Sequence, residues 1–219
     1  MMEAMAHHLD PGSWPRRATF DHFRHFDNPY FNVCTRLDLT ALVALKARLP
    51  GSLSLAYHHL VLRLANELEP LRHRLDGERV RVFDTVHGST TVLRADDSIA
   101  FADLVWQRDF GRFAAQAAER IRAVRSGELP FDATPDRQDV LHFTTLPWLD
   151  FTSFSHARNW GRDDAVPKIA FGRLQAEAGG RWRMAMAIEV HHALMDGLHV
   201  GRLVQLLQAR LDDPAPWLL

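Results

Sequence analysis

The sequence predicts an α+β fold, a two-layer α/β sandwich in which helices pack on a mixed and mostly antiparallel sheet. Apolar residues recur at three- and four-residue spacing in some stretches and at every second position in others, and the two kinds of stretch are interleaved. Turn sequences separate the strand-like stretches, and no glycine-rich phosphate loop follows any of them. Together these observations indicate helices and strands that share one core.

Four stretches have the spacing of helices. Thr40 and either Ser52 or Ser54 stand where the first two helices need N-terminal caps, and Asp196 is placed to cap the last. The predicted helices are residues 39–49, 53–68, 101–124 and 198–211.

Four other stretches have the composition or the alternation of strands. The first follows the turn signal Asp76-Gly77, and the second is predicted to be its hairpin partner. The third is rich in aromatic and β-branched residues and leads into a polar connection over residues 155–164. The fourth follows Gly179-Gly180, and its regular alternation predicts a half-buried strand. The predicted strands are residues 79–83, 90–93, 141–154 and 182–191.

Composition predicts a single globular domain over residues 1–219, in which residues 1–10 form a flexible N-terminal segment. Hydrophobic residues make up 47% of the chain and charged residues 24%, which suits a substantial core and excludes a disordered chain. The 26 Lys and Arg residues are balanced by 27 Asp and Glu residues, so the positive field of a nucleic-acid-binding protein is missing. Cys34 is the only cysteine, which excludes an intrachain disulfide framework.

The chain also gives a prediction about membranes. Its first residues lack the apolar stretch of a signal peptide, and no later segment reaches the roughly 18 uncharged apolar residues that a membrane span requires. We therefore expect a cytoplasmic protein with neither a membrane nor a nucleic acid as partner.

The run from His192 to Gly197 lies where the fourth predicted strand ends and the last predicted helix begins. An imidazole titrates near neutral pH, so a histidine at the mouth of a cleft can take a proton from a hydroxyl or amine. A structural interpretation fits the spacing as well, with two histidines ending a strand and Asp196 capping a helix. A metal site built from His191, His192 and His199 is disfavoured, because adjacent strand residues point to opposite faces and no other ligand is spaced to complete a tetrahedron.

A longer run over residues 190–202 closely resembles the type A chloramphenicol acetyltransferases, and its His-x-x-x-Asp-Gly part is the signature of CoA-dependent acyltransferases. Three further runs resemble the same family, in order and without a large insertion. They are residues 14–17, 82–87 and 146–154. The resemblance covers residues 10–212 and shifts the interpretation of His192 from structure to catalysis.

The resemblance implies a set of roles for individual residues. It implies that His192 is the general base, which takes the proton of an acceptor hydroxyl as that hydroxyl attacks the thioester of acetyl-CoA in a ternary complex. It implies that the Ser153 hydroxyl donates a hydrogen bond to the oxyanion of the tetrahedral intermediate. Asp196 and Arg16 match the family's buried ion pair, which holds the segment that carries the histidine. The family is homotrimeric, so the resemblance also implies that His192 of one chain faces the acceptor pocket of the next.

The acceptor pocket is where this sequence departs from the family pattern. Phe23, Phe31 and Phe101 align with apolar or aromatic pocket positions, which suit a flat aromatic acceptor. Phe23 replaces a tyrosine, however, and Pro29 and Ala170 replace a small thiol residue and a threonine. The leading hypothesis is acetylation of the primary hydroxyl of chloramphenicol, which gives antibiotic resistance. The alternatives are an acyltransferase of the same fold with another alcohol, amine or thiol acceptor, and a trimeric scaffold that has lost catalysis.

Overall fold

The computed structural model describes residues 5–131, 137–159 and 164–219. Its strands are β1 (Ala6–His8), β2 (Tyr30–Asp38), β3 (His73–Asp76), β4 (Arg79–Phe83), β5 (His87–Leu93), β6 (Ile99–Leu104), β7 (Val140–Thr145), β8 (Lys168–Phe171), β9 (Gln175–Ala176) and β10 (Trp182–His191). Its α-helices are α1 (Arg17–Phe23), α2 (Thr40–Leu45), α3 (Leu53–Glu67), α4 (Phe110–Arg125), α5 (Gly197–Asp212) and α6 (Ala215–Leu218).

The strands form two sheets. In the larger sheet the order of neighbours is β2-β10-β8-β7-β5-β6, and the short strand β9 also pairs with β10. The pairs β5–β7 and β7–β8 are parallel, whereas β2–β10, β10–β8, β10–β9 and β5–β6 are antiparallel. The smaller sheet has the order β1-β4-β3 and is antiparallel. The predicted mixed and mostly antiparallel sheet is therefore confirmed.

Helices cover one face of the larger sheet. Met184, Met186 and Ile188 of β10 belong to the same apolar core as α2, α3 and α5. Helix α3 is buried along most of its length, and Ser52 caps it by accepting the N–H of Leu55 at 3.2 Å. Burial of this apolar set is the main force that holds helices on the sheet, and it confirms the predicted two-layer arrangement.

The other face of β10 is covered too. The connection over residues 146–159 crosses this face, where Ala185 and Ala187 are small enough to be fully covered and Glu189 bonds to the connection. The prediction that β10 is half buried is therefore wrong. An alternating strand can be buried on both faces when its second set of side chains is small or finds polar partners.

The predicted helix over residues 101–124 is wrong in its first half. Residues up to Leu104 belong to strand β6, and α4 begins only at Phe110, where the Asp109 side chain caps it by accepting the N–H of Arg112 at 2.8 Å. Ala100, Ala102 and Leu104 are fully buried on one face of β6. A strand and a helix that follow each other in the sequence were thus predicted as one helix. Short apolar stretches fit the spacing of a helix and of a strand, so periodicity alone does not separate them.

The predicted hairpin between residues 79–83 and 90–93 is also wrong. Strand β4 pairs instead with β3, through the turn at Asp76-Gly77 that the sequence indicates, and with β1. Strand β5 lies in the other sheet, between β6 and β7. Gly77 has a positive φ of +56°, a conformation that glycine permits. The turn at this residue brings β4 back against β3, the strand before it, and not against β5.

Two further boundaries differ from the prediction. The predicted strand over residues 141–154 ends at Thr145, because Pro147 cannot donate a ladder hydrogen bond and the chain turns with the N–H of Leu149 bonded to the carbonyl of Leu146 at 3.1 Å. Residues Ala6–His8, which we expected to be flexible, pair with β4 as a strand.

Among the helices of the described segments, none combines the length and the apolar character needed to cross a bilayer.

Candidate active site

The segment that joins β10 to α5 is clamped by one arginine side chain. Arg16, which directly precedes α1, donates from Nε to Asp196 Oδ2 at 2.8 Å and from Nη2 to Asp196 Oδ1 at 2.6 Å. It also donates to the backbone carbonyls of His192, at 3.0 Å, and of Ala193, at 2.9 Å. The hydrogen bonds from Arg16 lower the pKa of Asp196, so this carboxylate is ionised at neutral pH. A planar guanidinium suits such two-pronged bonding, and four bonds fix the whole turn.

The His192 ring is held from several sides. Its backbone N–H donates to the carbonyl of Pro29 at 2.7 Å, which fastens it to the chain just before β2. Phe23 stacks on the imidazole with ring centroids 3.9 Å apart and planes only 7° from parallel, and Phe31 contacts it at 4.8 Å. Two aromatic rings and a backbone hydrogen bond therefore hold the imidazole in place at the end of the strand.

The two nitrogens of this ring have different surroundings. Nδ1 is buried, lies 3.4 Å from Asp196 Oδ1 and makes no hydrogen bond with any described residue. The side chain of His192 is nevertheless 34% exposed, so its exposed surface belongs to its other atoms, among which Nε2 is the only nitrogen. Because Arg16 offsets the charge of Asp196, we infer that the ion pair acts on the ring mainly by fixing its position.

The neighbouring histidines have structural surroundings. The ring of His191 meets Tyr30 edge-on at 5.3 Å on the opposite face of the strand, and its Nδ1 accepts the N–H of Ala193 at 3.2 Å. Burial lowers the pKa of His191 to about 4, so the ring is neutral at physiological pH. The Nδ1 of His199 accepts the N–H of Asp196, the N-cap residue of α5, at 2.9 Å. The described residues contain no group of three or more His, Cys, Asp or Glu side chains that could hold a metal ion.

Two of the predicted site residues lie apart from this cluster. Ser153 is exposed on the connection over residues 146–159. The residue after it, Phe154, accepts a hydrogen bond from Asn32, whose side chain lies on the face of β2 that points away from His192. Phe101 lies on β6, paired with Thr91 and in contact with Phe131. Four strand positions separate β6 from β10, which is roughly 19 Å at the usual strand spacing.

One chain therefore brings together only part of the predicted site. It assembles His192, Asp196, Arg16, Phe23 and Phe31, and it leaves Ser153 and Phe101 elsewhere. This division is what a site completed by a second chain requires, in line with the interfacial arrangement that the sequence resemblance implies.

The sequence reasoning missed several supporting residues. The indole ring of Trp14 lies under the Arg16 guanidinium at 5.7 Å and contacts Phe20 and His73. The sequence marks Pro29 only as a departure from the family pattern. It gives no sign that the Pro29 carbonyl accepts the backbone N–H of His192. A backbone acceptor leaves no trace in residue type, so no local signal could have revealed it.

Known proteins resemble this chain over nearly its whole length. The chain matches the family described as chloramphenicol acetyltransferase over residues 5–208. It is 32% identical to a chloramphenicol acetyltransferase of Streptomyces acrimycini, with 96% of each chain aligned. It is 26% identical to chloramphenicol acetyltransferase 3 of Escherichia coli, across 91% of this chain and 94% of that one.

Solved structures with a similar fold point the same way. A chloramphenicol acetyltransferase structure, 25% identical, superimposes with a TM-score of 0.82 over 94% of this chain and 100% of the other. The cubic core of the pyruvate dehydrogenase multienzyme complex shares the fold, with a TM-score of 0.70 at 21% identity over 92% of this chain and 89% of the other. The sequence match over nearly the whole chain and the shared fold lead to one conclusion: this chain belongs to the chloramphenicol acetyltransferase family.

Proposed function

We propose that this protein transfers the acetyl group of acetyl-CoA to the primary hydroxyl of chloramphenicol. Membership of the chloramphenicol acetyltransferase family supports the reaction and both substrates. The observation that carries the mechanism is the His192 ring, which is clamped through its backbone, stacked on Phe23 and exposed only through atoms other than Nδ1.

In this mechanism His192 acts as general base through Nε2. The nitrogen takes the proton of the acceptor hydroxyl while the hydroxyl oxygen attacks the thioester carbon, and the proton then passes to the departing CoA sulfur. The acetyl group passes directly from the CoA sulfur to the hydroxyl oxygen, and no acyl-enzyme forms. The contacts from Phe23 and Phe31 and the clamp of Arg16 on Asp196 keep the ring from rotating, so little entropy is lost when the substrates meet.

Ser153 supplies the second catalytic contribution in this proposal. A hydroxyl that donates to the oxyanion of the tetrahedral intermediate acts mainly in the transition state, where the negative charge develops. The exposure of Ser153 in one chain and its separation from His192 support a role at an interface between chains.

We further propose that the working form is a homotrimer with its sites between chains. Large exposed apolar side chains support an association surface, because aromatic and apolar side chains are commonly buried at interfaces between chains. They include Trp148, Leu149 and Phe26, which are 59%, 54% and 47% exposed in one chain. Sedimentation equilibrium at several concentrations is expected to give a mass of three chains.

The reaction is tested with purified protein, acetyl-CoA and chloramphenicol. Released CoA is followed with a thiol reagent, and the product is identified as the acetyl ester of the antibiotic. Turnover that needs both substrates is the expected result. An assembled protein that binds CoA and releases no thiol with chloramphenicol would contradict the proposal.

Phe23 is the specific observation that favours a second candidate, acetyl transfer to another alcohol, amine or thiol acceptor. Its ring lies directly on His192. It lacks the hydroxyl of the tyrosine that the sequence resemblance leads us to expect at this place. A site built to hydrogen-bond its substrate loses affinity when that partner is missing. A panel of hydroxyl, amine and thiol acceptors at fixed acetyl-CoA decides between the candidates, because the true acceptor gives the highest kcat/KM.

The proposal extends to the cell. Acetylation of the antibiotic would give resistance, and consumption of acetyl-CoA fits the cytoplasmic location expected from the sequence. Expression in a susceptible bacterium is expected to raise the inhibitory concentration of chloramphenicol, with the His192→Ala variant as the negative control. Cell fractionation tests the location.

A further inference from the structure

A buried carboxylate, Glu189, holds the connection that carries Ser153. Glu189 lies on β10, three residues before His192, and its side chain is only 5% exposed. Its side chain points to the face of the sheet opposite the main apolar core, toward residues 146–159. Neither the sequence motifs nor the proposed mechanism uses this residue.

Both carboxylate oxygens of Glu189 accept hydrogen bonds from the connection. Oε1 accepts from Nε of Arg158 at 2.5 Å, and Oε2 accepts the backbone N–H of His156 at 3.1 Å. Arg158 also donates from Nη2 to the carbonyl of Glu189 at 3.1 Å. The connection is thereby tied to β10 through both backbone and side chain.

The neighbouring strand adds a third tie. Asn32 lies opposite Glu189 in the β2–β10 register, and its Nδ2 donates to the carbonyl of Phe154 at 2.7 Å and to Glu189 Oε2 at 3.5 Å. Phe154, His156 and Arg158 are thus fastened at every second position. Ser153 directly precedes the first fastened residue, so the place of its hydroxyl depends on these bonds.

The charges of this cluster are balanced, because Lys168 Nζ pairs with Asp164 at 3.2 Å and Arg158 lies between Asp164 and Glu189. Burial raises the pKa of Glu189, but the hydrogen bonds from Arg158 and from the His156 N–H together lower it below its ordinary value, so the group stays ionised. Arg158 is 3% exposed, bonds to Asp164 at 3.1 Å and lies 4.5 Å over the Tyr30 ring. A paired, ionised and desolvated carboxylate holds its partners in a fixed geometry.

We propose that Glu189 is a positioning residue for acetyl transfer, which fixes residues 154–158 on β10 and thereby sets the position of the Ser153 hydroxyl. This inference rests on the proposed function, in which Ser153 stabilises the oxyanion. Glu189 itself touches no reacting atom.

The first test measures anchoring and needs no activity. Hydrogen exchange is followed in peptides that cover residues 150–159 for the wild type, for Glu189→Gln and for the control Glu67→Gln. The control removes the charge of another glutamate paired with an arginine, Arg210, at the contact of α3 and α5. We expect exchange in this segment to be at least about tenfold faster in Glu189→Gln and unchanged in the control. Unchanged protection in Glu189→Gln would overturn the inference.

The second test measures positioning through Ser153. We expect Glu189→Gln to lower kcat about 10- to 100-fold with little change in the KM for acetyl-CoA, because a displaced oxyanion donor acts in the transition state. In a Ser153→Ala background the same change is expected to alter kcat by less than about twofold, since the donor it positions is already gone. An equal loss in both backgrounds would show a general structural effect and overturn the inference.

A milder variant covers the case in which Glu189→Gln does not fold. Asn32 is exposed, so Asn32→Ala removes one tie without burying an unpaired charge, and we expect smaller effects in the same directions. If Asn32→Ala has the kcat of the wild type and the same hydrogen exchange over residues 150–159, the inference is overturned. If the wild type acetylates no chloramphenicol, the proposed function fails, while hydrogen exchange still decides whether Glu189 anchors the segment.

Discussion

At the scale of single residues, the surroundings of His192 separate it from every other histidine in the cluster. His191 is covered and neutral because burial lowers its pKa to about 4, and His199 is occupied by the backbone at the start of α5. Only His192 combines a fixed ring with an exposed edge. The same residue type thus has three different surroundings within nine positions, and packing decides them.

The first prediction concerns the base itself. His192→Ala is expected to lower kcat by about 10³-fold or more while the protein stays folded and assembled, because proton transfer and the geometry that supports it are lost together. Steady-state kinetics with chloramphenicol and acetyl-CoA measure the effect. Retention of more than about a tenth of wild-type activity would contradict general-base catalysis by this residue. His191→Ala is the comparison, and it should lower the melting temperature more than kcat.

The second prediction concerns the missing hydroxyl at Phe23. Phe23→Tyr is expected to lower the KM for chloramphenicol by a factor of about 2 to 13, which corresponds to the roughly 0.5–1.5 kcal/mol of one net hydrogen bond. The measurement is made at saturating acetyl-CoA, so that only binding of the acceptor changes. An unchanged KM would mean that the ring serves His192 alone and that the acceptor lies out of its reach.

At the scale of secondary-structure elements, the site is a junction of parts far apart in the chain. Arg16, before α1, joins the turn between β10 and α5 across 180 residues of sequence. The Pro29 carbonyl, before β2, holds the same turn from another side. The β2–β10 ladder keeps these two supports in register, because Tyr30 pairs with His191 and Phe31 with Val190.

The third prediction tests this junction. Arg16→Ala removes four hydrogen bonds and leaves the partly buried Asp196 carboxylate without its arginine partner, so we expect the free energy of unfolding to fall by about 2–4 kcal/mol and kcat to fall with it. Urea denaturation and steady-state kinetics measure the two effects. Arg122→Ala, which breaks the exposed pair with Glu128, is the control and should change stability by no more than about 0.5 kcal/mol. Equal losses of stability in both variants would refute the clamp.

At the scale of the whole molecule, one chain holds two groups of candidate site residues that do not meet. His192 and its supports lie on the helix side of β10, whereas Ser153 lies on the connection that covers the other side. No hydrogen bond or ring contact joins Ser153 to His192 among the described residues. Cyclic assembly places unlike surfaces of neighbouring chains against each other, so it can bring the two groups together.

The fourth prediction uses this separation. His192→Ala and Ser153→Ala proteins are unfolded together and refolded as mixed trimers. Random mixing should restore on the order of one quarter of the sites, since each site then takes its base and its serine from different chains. Activity well above that of either variant alone is the expected result, with each variant refolded by itself as the control. No recovery in mixed trimers would mean that both residues act within one chain.

The fifth prediction concerns the pH dependence of stability. Burial lowers the pKa of six histidines to about 4, and they are His58, His59, His73, His142, His156 and His191. In the unfolded chain these groups bind protons near pH 6.5, so stability is complete above that pH and falls as the pH decreases from 6.5 to about 4. Urea midpoints from pH 7.5 to 4.5 should therefore fall steeply below pH 6.5. A flat profile over this interval would contradict the neutral buried state of these rings.

Some elements of this fold follow from local sequence and others do not. The periods of apolar residues and the caps at Ser52 and Asp196 were enough to locate α3 and α5, because local propensity and burial agree there. The His-x-x-x-Asp-Gly run was enough to propose His192 as the base, since this chemistry depends on residue type. The errors came where two elements adjoin, as at β6 and α4, or where pairing is nonlocal, as for β4 and β5.

The sequence by itself determined the fold class and the family, and it supplied the candidate site residues, because periodicity and motif are local properties of the chain. Tertiary structure alone decided that β10 is buried on both faces, that Pro29 holds His192 through its carbonyl and that Glu189 ties down the segment beside Ser153. It also decided that Phe101 and Ser153 lie away from His192. Contacts of this kind join residues that are distant in sequence, about 30 positions apart for Glu189 and Arg158 and more than 160 for Pro29 and His192, and their partners are chosen by the packing of the whole chain.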